Sequence, residues 1–410
     1  MKSVLIIGFV WLEKTTGAGN RMFQLIETFL AQNYEITFAS AAQKTVYSID
    51  LSNLGINERP ITLNSDCFDD FVKNLQPDFV VFDRFMTEEQ FGWRVSEYCP
   101  NAIRILDTED FHALRKTRQE IIKKEEKFEL NHLLESDIAK REIASILRSD
   151  ISLIVSSFEM KILKEFFKID ENLVFHLPFM LSSINDEIKL NWASYEEREH
   201  FVFVGNFFHQ PNVDTVLQLK KLWKLIRKQL PKTEVHIYGA YVSQQIHQLH
   251  KPEEGFIIKG FAEDALEVVK KARVVLAPIR FGAGIKGKLT EAMLCGTPSV
   301  TTSLGAEGMH EDLPWNGFVE DDWNNFVDKA VELYSNKTIW TACQKNGIEI
   351  INQLYDKERL RKTFIERIES TQQNLTEHRK QNFLGSLLQH QTLQATKYMS
   401  KWIEEKNKKQ

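Results

Sequence analysis

At 410 residues the chain exceeds one ordinary hydrophobic core, and two domains of about 180 residues each are the natural expectation. Hydrophobic residues make up 43% of it, enough for burial, and a net charge of −5 gives no global reason to bind nucleic acid. Its four cysteines, Cys67, Cys99, Cys295 and Cys343, lie far apart without a C-x-x-C pair, which suits a reducing compartment and argues against zinc.

The longest apolar run, residues 4–12, is about half of what a membrane span needs. Lys2 before it imitates a signal peptide, yet acidic Glu13 and a glycine loop follow in place of a small-residue cleavage site. A first strand at residues 4–10 and a cytoplasmic protein are therefore expected. The loop 11–20 contains Gly17 and Gly19, and Met22, Leu25, Ile26, Phe29 and Leu30 then recur at helical spacing. This is not G-x-G-x-x-G, and no acid ends the second strand, residues 35–40, so a dinucleotide site is not expected.

Further strands read at residues 79–83, 103–107, 151–156 and 174–177, between helical stretches. Such alternation predicts a parallel sheet covered on both faces, with ligands beyond the carboxyl ends of the strands. That points to Asp83 and Arg84, and to DTEDFH at residues 107–112, where crowded carboxylates resist simultaneous ionisation and one can carry a proton. A helix-capping role for the same acids is the plain alternative. Residues 115–127 carry six basic and three acidic side chains on a helix, read as a solvated face or as a surface for an anionic acceptor.

Residues 179–199 read as a linker between a first domain, 1–178, and a second, 200–369. The second opens with a strand at 201–205, then the loop GNFFHQPN and a helix from Pro211 with Val216, Leu219, Trp223, Ile226 and Leu230 inward. Strands follow at 234–238, 256–260 and 274–279. After the last comes FGAGIKGKLTEAM: Gly282, Gly284 and Gly287 allow close backbone approach, and a helix starts near Lys288 with Leu289, Ala292 and Met293 inward. Its unpaired amides, with Lys286 and Lys288, make a site for a phosphate or diphosphate. Glu291, one turn on, suits the hydroxyls of a ribose. Residues 304–309 (LGAEGM) face the same cleft with Glu307. Residues 322–368 are helical, and a Gln-rich helical extension spans 370–410, with apolar pairs at 383–384 and 387–388, then Tyr398 and Trp402 among lysines.

The strand, the FGAGIKGK loop, the TEAM helix and the GTPSV turn resemble the donor-binding segment of family-four glycosyltransferases, which have the GT-B fold of two Rossmann-like α/β domains facing across a cleft. The resemblance covers residues 1–368 and implies a retaining transfer from a nucleotide diphosphate sugar, with no metal and no other cofactor. It implies a glycan or lipid-linked acceptor, polysaccharide biosynthesis and a peripheral membrane contact. Glu291 matches the second glutamate of the family's E-x7-E pattern, while Ala283 stands where the first belongs. The Arg and Lys usual after the restarting strand are absent between Gly205 and Asn212, so Lys286 and Lys288 are expected to hold the diphosphate. The donor-binding candidates are Gly17, Gly19, Gly205, Asn206, His209, Phe261, Gly282, Gly284, Ile285, Lys286, Lys288 and Glu291. Asp107, Glu109, His112 and Lys286 are the catalytic candidates. A nucleotide-sugar 2-epimerase of the same fold, and a binding subunit without turnover, are the competing readings.

Overall fold

The computed structural model describes residues 2–390 together with Tyr398, Met399 and Trp402. The first lobe holds strands β1 (Ser3–Gly8), β2 (Glu35–Ser40), β3 (Asn57–Pro60), β4 (Phe79–Asp83), β5 (Ile103–Asp107), β6 (Ile151–Ile154) and β7 (Val174–His176). They form one seven-stranded parallel sheet in the order β3-β2-β1-β4-β5-β6-β7. The second lobe holds β8 (Glu199–Val204), β9 (Val235–Tyr238), β10 (Phe256–Gly260), β11 (Ala272–Ala277), β12 (Ser299–Thr301) and β13 (Gly317–Val319), ordered β10-β9-β8-β11-β12-β13.

Both sheets are buried on both faces, which is why their central strands are unbroken apolar runs. Val4 and Ile6 of β1 enter one core, and Leu5 and Ile7 enter the core on the opposite face. Phe201 and Phe203 of β8 divide from Val202 in the same way. Strand order reverses between β1 and β4, and again between β8 and β11. At such points helices leave opposite faces and a crevice opens at the carboxyl ends of the strands.

Three strands are not read from the sequence: β12 begins within the segment read as the GTPSV turn, and the other two lack a signal. β3 (NERP) is a polar edge strand and β13 (GFV) has three residues. Edge strands favour charge and brevity because a long apolar edge invites pairing with other chains.

Residues 178–199 leave the first lobe through buried Phe179, Met180 and Ile184 and include a short helix, Asp186–Leu190. Here the chain meets its own return path: Leu181 N–H donates to Tyr355 O at 2.8 Å, and Lys357 N–H to Leu181 O at 2.9 Å. The helix Lys357–Gln373 then packs Leu360, Phe364, Ile365 and Ile368 into the first-lobe core, with Phe364 edge-on to Phe29 at 5.8 Å. Two further helices, Leu375–Gln381 and Phe383–Gln389, stay on that lobe. Arg379 anchors them, donating to both oxygens of Asp150 at 2.8 and 2.7 Å and to Ala102 O at 2.7 Å. Phe383, Leu384 and Leu387 are exposed there. Of the extension beyond residue 390, only Tyr398, Met399 and Trp402 are among the described residues. No helix of the described residues is long and apolar enough to cross a membrane. All four cysteines are free thiols.

Because Phe364 is fully buried in the first lobe although it follows the second in sequence, Phe364→Ala is expected to cost about 3–5 kcal/mol. Chemical denaturation should locate that loss in the first lobe.

Candidate active site

On the second-lobe side, β11 runs through residues 278–286 into the helix Gly287–Leu294, whose N-cap is Lys286. Lys288, in its first turn, donates from Nζ to Asn212 Oδ1 at 2.9 Å. Asn212 in turn donates from Nδ2 to Asn206 O at 2.8 Å. Gly205 packs so tightly on this pair that a methyl group there would come within 2.8 Å of Asn212 Cγ. The restarting loop thus has no phosphate-binding cation of its own, but it positions Lys288. Burial pulls the Lys288 ammonium down to about 8, against the attraction of Glu291. Burial likewise pushes the Glu291 carboxyl up to about 7, opposed by Lys288 and by Asn20 Nδ2, which donates to it from the other lobe at 3.4 Å.

Asn20 belongs to the helix Gly17–Ala31, whose N-cap Thr16 accepts from Gly19 N–H at 2.9 Å. This helix opens directly opposite Gly287: a methyl group on Gly287 would lie 3.8 Å from Gly17 Cα. Two helix N-termini therefore converge with Lys288 and Glu291 between the lobes. Gly19 serves a different purpose, since a Cβ there would strike Glu13 O at 1.6 Å, and it closes the turn after β1.

Lys286 departs from the expectation of a phosphate ligand and catalytic cation. Its Nζ turns back to donate to Gly284 O at 2.8 Å, and the residue is only 7% exposed. Burial draws its ammonium down to about 8, while Glu307, Glu159 and Asp110 pull it up and Arg118 repels it. It caps the helix and closes the loop. The glycines differ from expectation as well. Gly284 (φ +63°) brings its backbone against the first lobe, where a methyl group would meet Asp110 Cβ at 2.9 Å, and its N–H donates to Glu159 Oε1 at 2.7 Å. Gly282 O accepts from Arg118 Nη1 at 2.9 Å. Ile285 is buried between these contacts.

The first-lobe side is DTEDFH. Asp107 is removed from the catalytic candidates: it is fully buried at the end of β5 and accepts from Arg21 Nε at 2.8 Å. Glu109 stands in the left-handed region at φ +64°, a strained setting for a non-glycine residue. Burial, then Asp107 and Asp83, raise its carboxyl well above the usual range. Its Oε1 has no hydrogen-bond partner among the described residues. Asp110 behaves oppositely: burial is outweighed by Arg115, bound at 2.7 and 3.3 Å, and by His112, so the carboxyl is held low. His112 opens the helix His112–Lys123 with Nδ1 3.1 Å from Asp110 Oδ1 and 3.5 Å from Glu142 Oε1. Burial disfavours its charge, yet those two carboxylates raise its pKa overall.

His209 caps the helix Gln210–Gln229 on the crevice. Enclosure there, with Arg115 and Lys288 adding repulsion, holds its imidazole down to about 3, so it is neutral and can only donate or accept a hydrogen bond. Phe261 lies outside the convergence, half exposed, 5.1 Å from the Tyr47 ring of the first lobe. Tyr47 also meets Tyr241 at 5.1 Å, and Tyr241 stacks on Phe208 at 3.9 Å.

Sequence reasoning missed several residues that hold the lobes together. Arg118 donates two hydrogen bonds to Glu307, at 2.7 and 2.8 Å, across the junction. Glu159, pushed up to about 7 by burial and Asp110, joins Phe111 N–H of its own lobe to Gly284 N–H of the other. Gly308 (φ +69°) lies so close to Ser156 that a methyl group would come within 2.2 Å of its Oγ. No motif marks Arg118 or Glu159, because each partner lies on the other lobe. Two open cavities, of about 610 and 530 Å³, are present: one between the lobes beside Ser157, Glu307 and Gly308, the other on the first lobe beside Trp93 and Leu388. Neither is lined by Lys288 or Glu291, and the chemistry argues for the junction.

Residues 198–336 match the family model described as glycosyl transferases group 1. No curated protein matches the chain in sequence. Solved structures share its fold at low identity. TarM of S. aureus, in complex with fondaparinux, α-GlcNAc-glycerol and UDP, is 11% identical with a TM-score of 0.69, covering 90% of this chain and 100% of its own. Sucrose-phosphate synthase from Thermosynechococcus elongatus is 14% identical, TM-score 0.64, covering 90% and 99%. HepE of Anabaena, with UDP and glucose, is 12% identical, TM-score 0.63, covering 90% and 100%. With two parallel-sheet lobes facing each other, the chain has the GT-B fold of these structures, and its residues 198–336 match the group 1 glycosyl transferase family.

Proposed function

We propose that the chain transfers a glycosyl group, with retention of configuration and without a metal ion, from a nucleotide diphosphate sugar to a glycan or lipid-linked acceptor. The observation that carries this is the convergence of two helix N-termini, at Gly17 and Gly287, with Lys288 and Glu291 between the lobes. Unpaired amides and the helix dipole favour an anion at such ends. Lys288 exchanges its bond to Asn212 for a diphosphate oxygen. Charge building on the leaving group then meets dipoles that are already oriented, usually the largest contribution to such a rate. The two helix ends and Lys288 supply the positive potential that a divalent ion supplies at other phosphoryl sites.

Glu291 accepts from ribose hydroxyls. Glu109 and His112, at the first-lobe rim, are the groups set to meet the transferred sugar and acceptor. Retention rests on the family resemblance. UDP in the TarM and HepE structures supports a uridine nucleotide as the first donor to test. Contact between the lobes shields the junction from water and limits hydrolysis of the donor.

Lys288→Ala is expected to weaken UDP binding about 10- to 100-fold, from the roughly 1.5–3 kcal/mol of a hydrogen bond to a charged group; unchanged affinity by calorimetry removes this reading. Glu291, raised to about 7, is the better acceptor when ionised, so donor affinity should fall as pH drops from 7 to 6, below the range in which Lys288, at about 8, gains its charge. In Glu291→Gln that part of the pH dependence should vanish. Gly308→Ala should prop the lobes apart, enlarging the radius of gyration in small-angle scattering and lowering turnover at least tenfold while UDP still binds.

A further inference from the structure

At the end of the second sheet opposite the crevice, two imidazoles and a carboxylate gather on one face. β8 and β9 are parallel neighbours: Phe201 N–H donates to Glu234 O at 2.9 Å, and Val202 is in register with His236. Alternate residues of the two strands therefore project together. His200, Glu234 and His236 each bring one ligand atom to within 4.8 Å of the others. His236 Nε2 lies 2.7 Å from Glu234 Oε2, and His200 Nε2 lies 3.9 Å from the same oxygen. Zinc bonds of about 2.0–2.2 Å in a tetrahedron set ligand atoms about 3.3 Å apart, between these two distances. Glu199 Oε2 lies 3.7 Å from His200 Nε2 but is not one of the three groups that converge. His200 adopts φ +62°, rare for a non-glycine residue, and its N–H donates to Tyr334 Oη at 3.2 Å; so held, its ring faces Glu234.

We propose that His200, Glu234 and His236 form a three-residue site for a divalent transition-metal ion, zinc by preference, that staples β8 to β9 and leaves the fourth position to solvent. Imidazole with carboxylate is a donor set zinc accepts, and cysteine spacing carries no record of it. The site is separate from the transfer chemistry: five residues of strand between His200 and Gly205 span about 16 Å. Affinity is set in the micromolar range by two features. His200 Nδ1 has no hydrogen-bond partner among the described residues, so the outer bond that strengthens a metal-bound imidazole is missing. Lys259 also lies near enough to His236 and Glu234 to oppose a cation.

The test is titration of the full-length, chelator-treated protein with Zn2+ by calorimetry and with Co2+ by visible absorption. The expected result is one equivalent of zinc, the strong visible bands of tetrahedral cobalt, and a Tm raised by a few degrees in zinc. The double variant His200→Ala, His236→Ala should lose all three while its UDP binding is unchanged. Glu234→Gln, which keeps the shape of the site, should weaken zinc at least tenfold. Failure of the native protein to bind zinc, or equal stoichiometry in the native protein and the double variant, overturns the proposal.

Discussion

The junction depends on close contact between the lobes, and at Gly284 and Gly308 a Cβ would intrude. Gly284 rests on Asp110, Gly287 faces Gly17, and Gly308 rests on Ser156. Two of these, Gly284 and Gly308, also have positive φ, so the backbone path and the contact require the same residue type. Arg118 then bridges Glu307 and Gly282 O from the first lobe. Desolvation offsets much of the attraction in a buried ion pair, so its bidentate geometry matters more for register than for net stability. Glycine contact supplies proximity, and the arginine supplies alignment.

Burial sets the charge state of the residues gathered there. Glu159 and Glu291 are pushed up to about 7, and Lys286 and Lys288 down to about 8, so both kinds of group sit near their titration points. Asp110 escapes because Arg115 and His112 outweigh its burial. Lys288 itself is hydrogen-bonded there to a neutral amide, that of Asn212.

Much of this was legible in the sequence, for definite reasons. Strands β2, β4, β5 and β10 are apolar runs ended by Ser, Asp or Gly, and they stand at the residues expected. Glu291 and Lys288 followed from one local frame of strand, glycine loop and helix. What stayed hidden depended on distance across the chain. Lys286 reads like Lys288 until the fold seats it beneath its own loop. Asp107 reads like a crevice acid until Arg21, on a remote helix, claims it. Glu307 was placed on the cleft, but its partner Arg118, 189 residues away, carries no motif. The first-lobe acids were found as a group, but which carboxyl is raised and which is held low is decided by burial and by neighbours on other elements.

The paired chain crossings at Leu181 and at Tyr355–Lys357 have a mechanical consequence. Two connections hydrogen-bonded side by side act as a leaf rather than a tether: they allow swing about one axis and resist twist. Each approach of the lobes would then follow the same arc, returning Gly17 and Gly287 to the same opposition, so that alignment for catalysis is built into the pivot before any donor arrives.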